Sequence, residues 1–186
     1  DEAQRRITEI NGGVYVFARR ALEHALAEIG TDNAQAEKYL TDAATRILSA
    51  GGAVEAVVTD DPWLIAGVND RVQLADAGRE MNRRIVTAHQ RAGVTVQDPA
   101  STWIDADVTI EPDVEILPGT FLHGATSIAS GAVIGPETTL VDCEVGERVR
   151  IRRSEATLAV FADGATVGPF SYIRPGTELG AAGKIG

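Results

Sequence analysis

From Ile104 onward, aliphatic residues recur at every sixth position: Ile104, Ile110, Ile116, Leu122, Ile128, Ile134 and Leu140. Four residues after each of the first six stands a small or β-branched residue: Val108, Val114, Thr120, Thr126, Ala132 and Thr138. After a break the pattern resumes as Phe161, Val167, Ile173, Leu179 and Ile185, with Ala165, Ser171, Thr177 and Gly183 in the small positions. A period of six matches neither the helical period nor simple strand alternation. It is the signature of hexapeptide repeats that wind a left-handed parallel β-helix, three hexads to a triangular coil. The aliphatic residue points inward and stacks on its counterpart one coil away, while the small residue fits the tight corner. No coil buries its apolar face alone, so stability comes from stacked neighbours. About four to five coils are expected. The segment's many Gly, Pro, Thr and Val residues argue against helix, and the regular spacing argues against a sandwich. The break between Ile151 and Phe161 is expected to be an irregular corner or a short loop.

The first half is patterned differently. Asp1–Glu9 is polar, an exposed approach or a strand. Val14–Phe17 is a short β-prone run behind the Gly12–Gly13 pair, which allows a tight bend. Ala18–Ile29 places Ala21, Leu22, Ala25, Leu26 and Ile29 on one stripe and predicts an amphipathic helix ended by Gly30. Thr31–Asp32–Asn33 offers N-cap chemistry for a second helix from about Gln35 to Ala50. Val54–Val58 predicts a strand and Asp60–Asp61–Pro62 a turn. Asp70 to Ala92 predicts a long helix with Leu74, Ala77, Met81, Ile85 and Ala88 on its apolar stripe, closed by Gly93 and acting as a connecting arm. Val94–Trp103 leads into the first coil.

With 186 residues there is room for one large or two small domains. The formal net charge of -10 leaves no electrostatic footprint for nucleic acid or an anionic membrane, though local groups can still hold phosphate. The single cysteine, Cys143, excludes an internal disulfide and suits a reducing compartment. No signal peptide or membrane span is apparent, so the expected setting is the cytoplasm. Asp1 opens without an initiator Met and Gly186 falls in mid-hexad, as expected of a piece of a longer chain.

Single residues give weaker signals. Gly12–Gly13 lacks the context of a phosphate loop. His24 and His89 are expected on exposed helix faces and His123 at a coil corner, none of them catalytic. Cys143, between Asp142 and Glu144, sits where a thiol pKa rises and reactivity falls. Taken alone, Asn11 is a turn residue, Asn69 an N-cap of the long helix, and Arg174 a solvated charge.

The succession EINGG, DNAQAEKYLTD, AGVNDRVQLA, a long helix, GVTVQDPASTWID, hexapeptide coils and GPFSYIRPGTELG closely resembles the bacterial bifunctional uridyltransferase and acetyltransferase that makes UDP-N-acetylglucosamine, with an actinobacterial flavour. The likeness spans the chain. It implies the C-terminal part of a Rossmann-like α/β nucleotidyltransferase domain over residues 1–69, a helical linker arm over 70–92, and the opening of a left-handed β-helix acetyltransferase domain over 93–186. The implied reactions are acetyl-CoA-dependent acetylation of glucosamine 1-phosphate and UTP-dependent uridylyl transfer to N-acetylglucosamine 1-phosphate, with Mg²⁺ in the second. The implied assembly is a homotrimer.

The resemblance also assigns residues. Asn11 matches an asparagine that binds the N-acetylglucosamine moiety. Asn69 matches one that contacts the sugar nucleotide and Mg²⁺, for which an amide oxygen is a suitable hard ligand. Tyr39 and Thr41 fall where the sugar pocket is lined, and Arg174 matches an arginine of the acetyltransferase site that can grip phosphate. There are two departures. Asp70 replaces the second asparagine of V-N-N-R, and Gly12 stands where some members have a hydroxyl residue. The nucleotide loop and a metal-binding aspartate would lie before Asp1, and a catalytic histidine and a substrate lysine beyond Gly186. The stretch is therefore expected to hold half of each site and to catalyse neither reaction alone. The competing readings are a storage-polysaccharide type of sugar nucleotidyltransferase whose β-helix serves only assembly, and a lone β-helix acyltransferase.

Overall fold

The computed structural model describes residues 6, 8–31 and 37–186, in two compact units, Asp1–Val68 and Asn69–Gly186. In the first unit, α1 (Arg19–Glu28) and α2 (Leu40–Ser49) pack together. Ala25, Ile29 and Ala43 are buried between them, with Phe17, Leu22 and Ile47 against the cluster. The expected stripe of α1 is thus realised, apart from Leu26, which is 38% exposed. The expected second helix differs at its start. Residues 32–36, including Asp32 and Asn33 of the anticipated cap and the first turn at Gln35, lie outside the described residues, and the helix begins at Leu40 with Tyr39 extended before it. The polar opening of the chain lies largely outside the described residues as well.

Neither Val14–Phe17 nor Val54–Val58 forms a strand. Val16 and Val57 are 99% and 94% exposed. β-propensity describes a side chain's fit to a pleated, half-buried surface, and the described residues of this unit offer no neighbouring strand for either run to pair with.

The second unit is a parallel β-solenoid preceded by α3 (Arg71–Arg91). Its short strands form three parallel sheets, one per side. The first face stacks Thr95–Val96, Glu115–Ile116, Val133–Ile134, Arg150–Ile151, Thr166–Val167 and Lys184–Ile185. The second stacks Trp103–Ile104, Phe121–His123, Thr139–Val141, Glu155–Thr157 and Tyr172–Ile173, and the third begins at Thr109–Ile110 and ends at Glu178–Leu179. Register follows the hexads: Ile104 opposes Leu122, Leu122 opposes Leu140, and Ile116 opposes Ile134. The inward residues Ile116, Leu122, Ile134 and Leu140 are fully buried.

The small positions behave as the pattern requires. Val114, Thr120, Thr126, Ala132 and Thr138 have no exposed surface. The buried hydroxyls bend back onto corner carbonyls, Thr120 Oγ1 to Leu117 O and Thr126 Oγ1 to His123 O at 2.7 Å each. That meets the requirement that buried polar groups be paired. The break in the repeat is not an inserted loop. The steps from Leu140 to Val145, Ile151 to Ala156 and Ala156 to Phe161 are each one residue short of a hexad, yet the parallel pairing runs through them. Asp142, Arg153 and Leu158 take up the shortening with φ of 51°, 44° and 49°.

A solenoid has an open end, and α3 covers the first one. Its buried side chains are Asn82 and Val86, with Ile85 packed on the core. The expected stripe was offset: Leu74 and Met81 are each 56% exposed. Asn82 explains the offset. Its Nδ2 donates to Thr102 O at 2.8 Å and its Oδ1 accepts from Ile104 N–H at 3.0 Å. The side-chain amide thus pairs with the first strand of the second face as a neighbouring strand's peptide would. A polar residue on the buried face is invisible to a search for apolar periodicity. At the exposed face, Glu80 bonds first Arg83 and then Arg84, and this holds its carboxyl at a pKa of about 2.

Replacing Asn82 with Ala leaves a buried carbonyl and a buried N–H unpaired, at about 1–3 kcal/mol each. A corresponding drop in the solenoid's stability is expected in urea unfolding followed by circular dichroism. A Cβ on Gly168, where φ is +96°, would lie 2.0 Å from Arg152 O, whereas one on Gly164, where φ is +70°, meets nothing within 4 Å. Gly164→Ala is expected to cost about 1–2 kcal/mol for the left-handed backbone. Gly168→Ala is expected to cost clearly more in the same unfolding measurement.

Candidate functional site

The two sequence-predicted sites of the second unit lie on different elements of it. Asn69 precedes α3, whose N-terminus is closed by a reciprocal cap. Asp70 Oδ1 accepts from Gln73 N–H at 2.7 Å, and Gln73 Oε1 accepts from Asn69 N–H at 2.6 Å. The cap is therefore Asp70 and not Asn69, which corrects the reading of Asn69 as the helix cap. It also explains the first departure, because Asp and Asn cap helices about equally well. Asn69 is left exposed, with its backbone fixed and no side-chain hydrogen bond among the described residues.

Arg174 follows the last strand of the second face. Ile173 beside it points inward and is 4% exposed, which turns Arg174 outward. Its carbonyl accepts from Thr177 N–H at 3.2 Å and from Thr177 Oγ1 at 2.7 Å, fixing the corner. The guanidinium is exposed and has no carboxylate partner among the described residues, so its fork is free to take an anion. α3 packs on the first rung of this face and Arg174 lies four rungs on. At ~4.8 Å per rung, the rung that α3 covers and the rung of Arg174 are roughly 19 Å apart.

In the first unit, Asn11 is exposed and makes local contacts. Its Oδ1 accepts from Gly13 N–H at 2.9 Å, and its Nδ2 donates to the Tyr15 hydroxyl, whose ring stacks on Phe17 at 5.5 Å between centroids. This is an Asx turn. It holds the amide in place and leaves a second N–H and a second lone pair for a ligand. Gly12 beside it is closely packed: a Cβ there would meet Ile65 Cγ2 at 2.8 Å. A hydroxyl residue at this position would therefore have to displace Ile65. Tyr39 is half-buried at the foot of α2, and Thr41 is exposed in its first turn. Of the two, only Thr41 lies on the helix that the sequence predicts for both. A cleft of about 220 Å³ between α1 and α2 has Ala21, Ala25 and Ile47 in its lining and His24, Glu28 and Arg46 around it. It is below the usual size of a ligand pocket.

No group of three or more His, Cys, Asp or Glu residues among the described residues could hold a metal. Mg²⁺ asks for about six oxygens, and Asn69 can offer one. Its neighbour Asp70 has one carboxylate oxygen committed to the helix cap. The donor set fits a single ligand position and no more. Cys143 is buried, and burial first, with Asp142 adding to it, pushes its thiol pKa up. It is no nucleophile. His89 is half-buried rather than exposed, and burial pushes its pKa down.

His123 faces outward at its corner, as expected, but it has company that the sequence reading overlooked. Its Nδ1 lies 3.2 Å from Asp105 Oδ2, and its ring stacks on Phe121. The hexad register carries the signal, since Ile104 opposes Leu122 and the following residues stand side by side. Asp105 also accepts from Gly124 N–H at 3.0 Å. That bond first, and His123 after it, hold its carboxyl below the usual range. A depressed folded pKa contributes stability above the unfolded value of about 3.9, and the contribution disappears as pH falls through the folded value. Asp105→Asn keeps an acceptor for Gly124 but does not titrate. The stability difference between wild type and variant is expected to shrink as pH falls below about 4, read by denaturant unfolding at stepped pH.

No protein-family model matches the chain. Curated relatives do. It is 58% identical over 183 residues to the bifunctional protein GlmU of Clavibacter sepedonicus, covering 98% of this chain and 37% of that protein. It is 57% identical over 185 residues to that of Mycolicibacterium gilvum, covering 100% and 37%, and 55% identical to that of Pseudarthrobacter chlorophenolicus, covering 100% and 38%. The chain thus spans little more than a third of the length of the relatives it matches.

Proposed function

We propose, for a chain homologous along its whole length to one stretch of the bifunctional GlmU proteins, that it contributes to both reactions of UDP-N-acetylglucosamine synthesis. In this reading residues 1–69 close a Rossmann-like uridyltransferase domain, 70–92 form the arm, and 93–186 open a left-handed β-helix acetyltransferase domain. The parallel solenoid of hexads behind a long helix supports it. The observation that carries it is Arg174, an unpaired arginine held outward on a fixed corner. A coil used only for assembly has no need of a free guanidinium there, so the storage-polysaccharide alternative is disfavoured.

The division of labour follows from the chemistry of each group. Arg174 grips the phosphate of glucosamine 1-phosphate by its fork while acetyl-CoA supplies the acetyl group. Asn11, together with Tyr39 and Thr41, binds the sugar of N-acetylglucosamine 1-phosphate as UTP supplies the uridylyl group. Asn69 gives one oxygen to Mg²⁺, which neutralises phosphate charge when bound. The enzyme works as a homotrimer in the cytoplasm. No helix among the described residues is long and apolar enough to cross a membrane.

In the intact enzyme, Arg174→Ala is expected to lower kcat/KM for acetyl transfer by roughly tenfold to a hundredfold, the worth of a lost charged contact. Uridylyl transfer should be unchanged. If both rates survive, the acetyltransferase role of Arg174 is wrong.

A further inference from the structure

Five basic residues stand near one another in the later coils, and their partners divide them. Arg148 Nη1 lies 2.5 Å from Glu147 Oε2, and Arg153 Nε lies 3.1 Å from Glu137 Oε2. Arg150, Arg152 and Lys184 are exposed and have no carboxylate partner among the described residues. All three are on the first face of the solenoid. Arg150 is in register with Thr166, and Thr166 with Lys184, so a cation, a hydroxyl and a cation occupy successive rungs of one outward column. Arg152 stands beside Arg150, across the inward Ile151.

The spacing lets these groups converge. Rungs are ~4.8 Å apart, and residues two apart on a strand are about 6.6 Å apart. Arg and Lys side chains reach far enough for all three to meet above Thr166. The next rungs of the Arg152 column are Gly168 and Gly186, the former donating its N–H to Ile185 O at 2.9 Å. They place no side chain over the spot. The nearest carboxylate along the Arg150 column is Glu115, beyond Val133, where it accepts from Gln97 Nε2 at 2.7 Å. Three cations thus stand on one face without a carboxylate partner among the described residues, in a chain of net charge -10.

We infer that this shelf binds a phosphate group through Arg150, Arg152, Lys184 and the Thr166 hydroxyl. Two guanidinium forks and an ammonium match the three oxygens of a phosphate dianion, and the fork geometry favours phosphate over a point anion such as chloride. The shelf spans only about 10 Å, room for one phosphate group, and the acidic remainder of the chain repels a polyanion such as nucleic acid. The ligand is free phosphate or a small phosphomonoester.

The test is calorimetric titration of the full chain with inorganic phosphate, and separately with phenyl phosphate, at constant ionic strength set with chloride. Binding is expected for wild type. Arg150→Ala and Lys184→Ala should each weaken it by about tenfold, the worth of one charged hydrogen bond. Arg150→Lys should fall in between, which guards against an unfolded Ala variant. Arg148→Ala removes an equally exposed cation that is already paired, and it should leave binding unchanged. Tighter binding of phenyl phosphate identifies the ligand as a monoester, and equal binding as free phosphate. Either supports the shelf. No binding by wild type, unchanged binding by Arg150→Ala, or an equal loss in Arg148→Ala would overturn it, the last because it reports only diffuse potential.

Discussion

The solenoid depends on keeping an inward column in register. Each coil presents one aliphatic side chain per face to the interior, and its only apolar partners lie in the coils before and after it. Ile104, Leu122 and Leu140 form such a column, and Ile116, Ile134, Ile151 and Val167 form another. A one-residue slip in a strand would turn the whole set outward. This is why the three short steps after Leu140 are absorbed at corners: Asp142, Arg153 and Leu158 accept a left-handed backbone so that Val145, Ala156 and Phe161 still point in. The corners themselves are sealed by buried threonine hydroxyls, which pair their own donor with a corner carbonyl instead of leaving it unsatisfied.

The same constraint creates a problem at the ends, because the last strand of each sheet has unpaired peptide groups. At the first end α3 answers it with Asn82, whose amide has the donor and acceptor of a peptide in one side chain. Carboxylates serve a related purpose along the sides. Asp105 accepts from Gly124 N–H, Asp142 from Ala125 N–H and Asp163 from Glu147 N–H, each binding one coil to the next. These carboxylates are therefore structural. Against that background the unpaired cations Arg150, Arg152, Lys184 and Arg174 stand out, since the fold makes no use of their charge.

The candidate sites were legible to different degrees. Arg174 was legible as a position, because the hexad places Ile173 inward and its neighbour outward, but its lack of a partner needed coordinates. Asn69 was misread as the helix cap. In VNDRVQ both Asn69 and Asp70 are good caps by residue type, and only the backbone shows which one accepts from Gln73. For Asn11 the structure shows a turn amide held by Gly13 and Tyr15, and a ligand role rests on the capacity left over. The expected strands at Val14–Phe17 and Val54–Val58 failed because a strand is defined by a neighbour, and propensity says nothing about whether one is present.

The sequence by itself determined the solenoid wherever its hexads are unbroken: a six-residue period in side-chain volume has one packing solution, so inward residues, corners and register follow there from counting, whereas the five-residue steps after Leu140 were seen only in the structure. It also determined that the first half is helical and that two of its helices stop at Gly51 and Gly93, both left-handed, whereas α1 ends at Glu28 with Ile29 extended and Gly30 takes no left-handed role. Only the tertiary structure decided how the ends and faces are used. That Asn82 rather than Met81 meets the first coil, that His123 finds Asp105, and that Arg150 lacks a carboxylate where Arg153 has Glu137 all depend on groups brought together from distant parts of the chain. Local periodicity records which way a side chain points, whereas a polar partnership is settled by what stands opposite.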